Sequence, residues 1–253
     1  MLGFPKLKQQ AKKLFRNKYW PAVWAGFLLV IASCDSFLFS SSYLHTDDPN
    51  MGLPAPSELL RTVTSSQFFY SMTFTLFVTF FFSVFIGNPI AYGARSYFRH
   101  LKDGKTENKL YSGFQKKNWL RVSALLLWKD LICFVWGLLL IVPGIMKSYE
   151  YKFVPYILEE HPMMSSADVL KYSSNLTKGH KMELFKLDLS FIGWFLIQVV
   201  TFDLAGIFYA GPYFYTTQAL AYIEISEAAA KQRRADADRN YKKNRSSRKK
   251  ENA

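Results

Sequence analysis

Ionisable residues inside apolar stretches are the positions of this sequence where chemistry would be expected. Placing such a group in hydrocarbon costs about 2.5–3.5 kcal/mol, so each needs a partner or water. Lys147, Glu150 and Asp188 are three of them. If Lys147 pairs with either carboxylate, they predict a polar site for a lipid headgroup, an ion or a small solute. The alternative is that all three lie at interfacial depth and reach water. The adjacent Lys129 and Asp130 have the same two interpretations.

Catalytic and metal-binding motifs are missing from the sequence. It contains no H-E-x-x-H, no G-x-S-x-G and no phosphate-binding glycine loop. The histidines have no metal-like spacing; they are His45, His100, His161 and His180. Cys34 and Cys133 fall inside apolar runs and are typical of small buried hydrophobic residues. We therefore expect no metal and no cofactor, and a non-enzymatic protein is favoured over an enzyme with dispersed catalytic residues.

Long apolar runs are the elements that would position these residues. Half of the 253 residues are hydrophobic, including 23 Phe, 15 Tyr and 6 Trp. About 20 apolar residues span the hydrocarbon core of a bilayer. The runs cover residues 20–44, 68–94, 122–146 and 184–222. The last is too long for one crossing, and a turn near residues 202–206 would divide it. We predict an all-α, polytopic membrane helix bundle.

The distribution of charge predicts the topology. The net charge is +13, and the basic residues concentrate in segments 1–20, 95–121 and 227–253. Cytoplasmic loops collect Lys and Arg, so both termini are predicted in the cytoplasm of a bacterial plasma-membrane protein. Residues 45–67, which are net acidic, would then be external.

The number of crossings depends on Pro143-Gly144. If this pair makes a tight external turn, residues 145–158 return to the cytoplasm and the chain has about six crossings. If one crossing ends there instead, residues 147–183 are external and the chain has four crossings. The second topology would place several lysines outside, against the charge rule. The six-crossing topology is therefore favoured.

Three flanking regions complete the predicted organisation. Residues 1–19 form a basic amphipathic helix on the membrane surface, before a transmembrane bundle over 20–226. The basic loop 95–121 and an amphipathic helix over 163–178 belong to that bundle. Ser165-x-x-Asp168 predicts the cap of this helix. Residues 227–253 are predicted to be a disordered polybasic tail that is attracted to anionic headgroups. Nucleic acid is not favoured as a partner, because the tail has few aromatic residues.

A set of short segments in fixed order resembles a known family. They are V-P-G-I-M-K-S-Y-E-Y at 142, P-Y-I-L-E-E-H-P at 155, A-D-V-L-K-Y-S at 167, K-G-H-K at 178, F-K-L-D-L-S-F-I-G-W at 185 and G-P-Y at 211. The combined pattern resembles a bacterial integral-membrane family known as domain of unknown function 975. The resemblance implies a multi-pass bacterial membrane protein and no established reaction. Residues 201–206 depart from the glycine-rich turn that is typical of the family.

Two functions remain open at this stage. The first is a non-enzymatic accessory or scaffold protein of the cell envelope, which would contact membrane lipids and a membrane-protein partner. The alternative is a transporter or lipid-handling protein that uses Lys147, Glu150 and Asp188 near a helix break at Pro143-Gly144. Gly87-Asn88-Pro89 also resembles Gly211-Pro212. A repeat of three plus three helices could produce that match, but chance is the simpler interpretation.

Overall fold

A computed structural model describes residues 3–33, 66–106, 109–115, 119–201 and 203–251. Cys34 and most of the predicted external segment lie outside these ranges. Every regular element in them is helical, in agreement with the predicted class. The α-helices are α1 Phe4–Asn17, α2 Tyr19–Ser33, α3 Ser66–Phe82, α4 Asn88–His100, α5 Trp119–Leu139, α6 Ile141–Glu150, α7 Val154–Glu160, α8 Ser166–Thr177, α9 Lys181–Leu189, α10 Ile192–Val200 and α11 Gly211–Glu251.

Two π-helical turns each lead into an α-helix; the first follows directly on α3, and the second comes after the turn at Asp203. The first π-turn, Ser83–Gly87, leads into α4, and the second π-turn, Gly206–Ala210, leads into α11. A proline stands at the start of each following helix, at Pro89 and Pro212. Proline has no N–H to donate, which fits a position where the α-helical bonding pattern is already interrupted. The two similar Gly-Pro segments of the sequence thus have the same local structure, a π-turn followed by the start of an α-helix.

Helix α1 packs its apolar face on the protein. Leu7, Ala11 and Phe15 recur at helical spacing and are fully or almost fully buried. Phe15 has 0% exposure and meets Tyr209 and Tyr213 with ring centroids 5.3 and 6.0 Å apart. We had expected this face to lie on the membrane surface. The structure instead uses it to dock α1 against the second π-turn and α11.

Helix α4 continues into the region predicted to be a basic loop. The loop was expected from residue 95, but α4 ends at His100 and buries Tyr97 and Phe98. Beyond α4 the chain folds back along it. A Cβ added at Gly93 would overlap the carbonyl oxygen of Leu110, and one added at Gly113 would overlap that of Pro89. The segment is therefore packed closely on the helix.

Helices α5 and α6 form an antiparallel hairpin whose turn is the single residue Leu140. The sequence had suggested a break at Pro143-Gly144, but both residues lie in the first turn of α6. Proline is tolerated there because the first helical N–H groups have no intrahelical acceptor. A Cβ at Gly144 would come within 2.5 Å of the Cα of Gly137, so the two backbones touch. The predicted return segment 145–158 is also not one helix, because residues 151–153 form a turn between α6 and α7.

A second hairpin joins α9–α10 to α11. Its turn contains Asp203, which has a positive φ of 65°, within the region where the sequence predicted a turn. Helix α8 lies between the two hairpins, and the Ser165 hydroxyl accepts a hydrogen bond from the Asp168 N–H at 3.2 Å. Gly179, with φ of 87°, follows that helix.

Helix α11 differs from the predicted disordered tail, because it runs without interruption to Glu251. The segment after residue 227 is rich in Ala, Arg and Lys, which have high helix propensity. It also extends a helix that is already formed, so it avoids the nucleation step that makes isolated helices unstable.

Candidate functional site

The carboxylate of Glu150, at the end of α6, is held by two lysines and a serine. Its oxygens lie 3.0 Å from Lys147 Nζ and 2.8 Å from Lys181 Nζ. The Ser174 hydroxyl donates to the same carboxylate at 2.8 Å. The backbone carbonyl of Glu150 accepts a further bond from Ser173 at 2.8 Å. This first cluster joins α6 to α8 and α9.

A second cluster surrounds Asp188 on α9. Lys152 Nζ lies 2.6 Å from Oδ2, and the Tyr149 hydroxyl donates to the same oxygen at 2.8 Å. The Gln218 side-chain amide on α11 donates to Oδ1. Of the two pairs considered from the sequence, Lys147 with Glu150 is therefore formed. Asp188 takes Lys152 as its partner instead of Lys147.

A third cluster was not predicted from the sequence. Glu159 on α7 lies 2.9 Å from Arg99, 2.7 Å from His100 and 3.0 Å from Lys109. Its neighbour Glu160 lies 3.2 Å from Arg99. The sequence features that could have indicated this cluster are the basic pair Arg99-His100 at the end of a helix and the consecutive glutamates Glu159-Glu160. Spacing could not reveal their contact because about 60 residues separate them along the chain.

The third cluster keeps Glu159 ionised. Its side chain is only 8% exposed, and burial by itself raises a carboxyl pKa. Hydrogen bonds from His100 and Lys109, with the charge of Arg99, outweigh that effect and hold the pKa of Glu159 below its ordinary value. Removing Glu159 would take the carboxylate partner from Lys109 and leave Arg99 with Glu160 alone, so the cluster depends mainly on this one carboxylate.

Lys129 and Asp130, the remaining candidate pair, lie outside the three clusters. Their charged atoms are 2.5 Å apart, and the Asp130 side chain is largely exposed. The structure therefore gathers the other three predicted residues into two adjacent clusters and leaves this pair on the surface of α5. Among the residues that the structure describes, no group of His, Cys, Asp or Glu could hold a metal ion.

The three clusters connect the helices of one buried region. Tyr149, Glu150 and Lys152 at the α6–α7 junction bond to α8 and α9, and Glu159 bonds to α4. Gln218 adds α11 by donating to Asp188 of α9. Each carboxylate is surrounded by donors, and Tyr222 donates to Glu160 as well. Carboxylates in such surroundings are poor general bases or nucleophiles because their charge is already stabilised. The arrangement is suited to fixing the positions of helices.

Fold and clusters together define an all-helical protein with long apolar helices and a cross-linked charged region. Two helices of the described part, Phe69–His100 and Trp119–Leu139, are long and apolar enough to cross a membrane. The sequence model of one family, described as Protein of unknown function (DUF975), matches residues 62–229. The chain therefore belongs to that family, as the short segments had indicated. No curated protein and no solved structure matches the chain.

Proposed function

We propose that this protein is a multi-pass accessory or scaffold protein of the bacterial plasma membrane. The observation that carries the proposal is the separation of apolar surface from the charged clusters. Large apolar side chains are exposed along α3, the α5–α6 hairpin and α10, and Val199 and Val200 reach 78% exposure. A protein surrounded by water does not normally expose so much contiguous apolar surface. The same surface would be satisfied by lipid tails.

The proposed topology has three apolar hairpins that enter the membrane from the cytoplasmic side. The first has α2 and α3 as its two helices; the others turn at Leu140 and near Asp203. Both termini then remain cytoplasmic, which agrees with the basic residues in the N-terminal and C-terminal segments. The three hairpins together have six apolar segments, which correspond to the six crossings expected from the sequence. Because α6 has only 10 residues, about 15 Å of helix, its hairpin must be shallow or the bilayer thin.

The scaffold role is supported by the internal ion pairs and hydrogen bonds that the carboxylates of the three clusters form. A transport pathway needs ionisable groups that can exchange partners with solute or water. Here Glu150, Asp188 and Glu159 each have several partners from within the protein. They cross-link α4, α6, α8, α9 and α11, which gives a rigid platform beneath the apolar hairpins.

A lipid-handling function is the second candidate, and one groove favours it. An open groove of about 420 Å³ lies along the α5–α6 hairpin, lined by Cys133, Phe134, Gly137 and Ile145 among others. Its lining is apolar, which suits an acyl chain. On this alternative the hairpin would accommodate a lipid, and the charged clusters would still only support it.

Purification in mild detergent followed by mass spectrometry tests the two functions. An accessory protein should retain a stoichiometric protein partner that an unrelated multi-pass protein, purified in parallel, does not retain. A lipid-handling protein should instead retain one lipid class above its abundance in the membrane. Monodisperse protein with neither companion would contradict both functions.

A further inference from the structure

Arg95 on α4 is a partly buried cation that no carboxylate of the described residues contacts. It lies on α4 one turn before Phe98 and Arg99, so the three side chains share a face of the helix. The ring of Phe98 stacks on Tyr215 of α11 at 5.8 Å, and Arg99 binds Glu159 of α7. Arg95 therefore points toward the space between α7 and α11. It is partly buried, and within the described ranges it forms no hydrogen bond or ion pair.

The surroundings of Arg95 are positively charged and rich in polar groups. Lys152 lies close enough to Arg95 for the two positive charges to repel each other. Tyr156 and Tyr215 also lie within range of the Arg95 charge. The acid in direct contact with Lys152 is Asp188, so two cations face one anion.

A buried acceptor in this region also has no partner. Gln218 has 3% exposure, and its Nε2 donates to Asp188. Its Oε1 is buried and accepts no hydrogen bond from the part of the chain that the structure describes. A buried polar atom without a partner is unfavourable by itself, so this oxygen is a second sign that a component of the site is still to be supplied.

We propose that Arg95 and Lys152 bind an anionic group, a phosphate or a carboxylate, between α4, α7 and α11. A partly buried cation without a counter-charge attracts an anion, and the lower dielectric between the helices strengthens that attraction. The planar guanidinium of Arg95 presents paired N–H donors that match both groups. The Gln218 Oε1 accepts a hydrogen bond from a hydroxyl of the ligand or from a water that accompanies it.

Two kinds of molecule carry such an anionic group, and an experiment can distinguish their binding. One is the headgroup of an anionic phospholipid, which rests on the membrane location proposed above. The other is a soluble phosphate or carboxylate, which needs no membrane. The anion site itself rests on Arg95, Lys152 and Gln218 and not on the membrane location, so it can stand if the accessory function fails.

Thermal unfolding of the full chain in detergent tests the site. Inorganic phosphate is titrated at constant ionic strength, and the anionic lipid phosphatidylglycerol is compared with zwitterionic phosphatidylcholine in mixed micelles. Saturating ligand should raise the Tm of the wild type by roughly 5 °C. A rise with phosphate assigns a soluble anion, and a rise with phosphatidylglycerol alone assigns a headgroup. No rise with either would overturn the proposal.

The variant Arg95→Gln separates binding from a structural role. Without ligand it should be at least as stable as the wild type, since it removes an unbalanced charge, and it should lose the ligand-dependent rise. Arg16→Gln, on α1, removes the same charge at an exposed position and should keep the rise. A rise that survives in Arg95→Gln would overturn the proposal.

A second variant covers the possibility that Arg95→Gln does not fold. Arg95→Lys keeps the charge but loses the paired donors, so its half-maximal ligand concentration should increase about tenfold or more. Native mass spectrometry of the wild type should show one anionic adduct per chain. An unchanged half-maximal concentration in Arg95→Lys, or no adduct on the wild type, would overturn the proposal.

Discussion

The Nζ of Lys152 lies 2.6 Å from the Oδ2 of Asp188, and this contact ties the turn after α6 to the last turn of α9. The pair links two apolar hairpins that are far apart in sequence. Gln218 brings α11 to the same carboxylate. The hairpins therefore meet at Asp188.

Replacing Asp188 with Asn should destabilise the protein by about 3 kcal/mol, because Lys152 would be left partly buried without its counter-charge. The double variant Asp188→Leu with Lys152→Met should recover much of that loss. Unfolding of the single and double variants in detergent gives the coupling between the two positions. Additive effects would contradict a direct pair. Loss of a transport activity without loss of stability would favour the transporter function.

Acidification should weaken the third cluster. The pKa of Glu159 is lower in the folded protein than the ordinary value of 4.5. Its stabilising contribution is therefore fully present above about pH 4.5 and is lost as the pH falls through the lower, folded-state pKa. The Tm difference between wild type and Glu159→Gln should be largest near neutral pH and shrink below about pH 4.5.

The matched control for acidification is Glu227→Gln. Glu227 forms an exposed pair with Lys102 at 3.3 Å, and such pairs contribute little to stability. Its Tm should stay close to that of the wild type across the same range. A difference for Glu159→Gln that does not change with pH would contradict the assigned ionisation.

The α5–α6 hairpin should tolerate alanine at one glycine and not at the other. A Cβ at Gly144 would meet the backbone of Gly137, whereas a Cβ at Gly137 meets no atom within 4 Å. We expect Gly144→Ala to lower the Tm by several degrees and Gly137→Ala to be neutral or slightly stabilising. Equal effects in a thermal-shift measurement would show that the two backbones are not in contact.

Truncation of the Phe15 side chain tests whether α1 is docked on the protein or lies on lipid. Phe15→Ala removes a fully buried ring from the contact with Tyr209 and Tyr213, which should cost about 3–5 kcal/mol. Gln10→Ala changes an exposed residue of the same helix and should have little effect. If the two variants unfold alike in detergent, α1 is not held by α11.

The topology can be tested with single cysteines at exposed positions. With Cys34 and Cys133 removed, Ala167→Cys on α8 should react with an impermeant thiol reagent only after cells are permeabilised. Ser173 would be a poor choice, because its side chain has 0% exposure and bonds to Glu150.

A cysteine at the hairpin turn tests how deep the α5–α6 hairpin reaches. Ile141→Cys, beside the exposed turn, should be labelled from outside if the hairpin crosses the bilayer and stay unlabelled if it ends within it. Labelling of Ala167→Cys in intact cells would exclude the proposed topology.

Local patterns in the sequence predicted local structure well. The 3.6-residue spacing of Leu7, Ala11 and Phe15 predicts α1, and the three-residue spacing of Lys147 and Glu150 places that pair on one helix face. What covers an apolar face is a different question, because lipid and protein satisfy the same pattern. For this reason the docking of α1 on α11 could not be predicted.

Long-range contacts and exact breaks were the harder part. Glu159 and Arg99 meet only because α4 and α7 pack together, which no spacing rule encodes. Pro143-Gly144 was taken as the break because proline ends helices, yet proline is equally suited to a first turn, and the chain reverses at Leu140. The composition after residue 227 was assigned to disorder by its charge, although its residues also favour helix.

The two π-turns have a mechanical consequence. Both contact α2, and each holds a residue more than an α-helical turn requires. Returning the second turn to α-helical bonding would rotate everything after it by about 100°, the angle of one residue. Because Gln218 and Tyr222 lie after this turn, the rotation would also carry them away from Asp188 and Glu160. The bonds to Asp188 and Glu160 therefore set the rotation about its axis of the whole of α11, including the basic segment at the other end of the same helix.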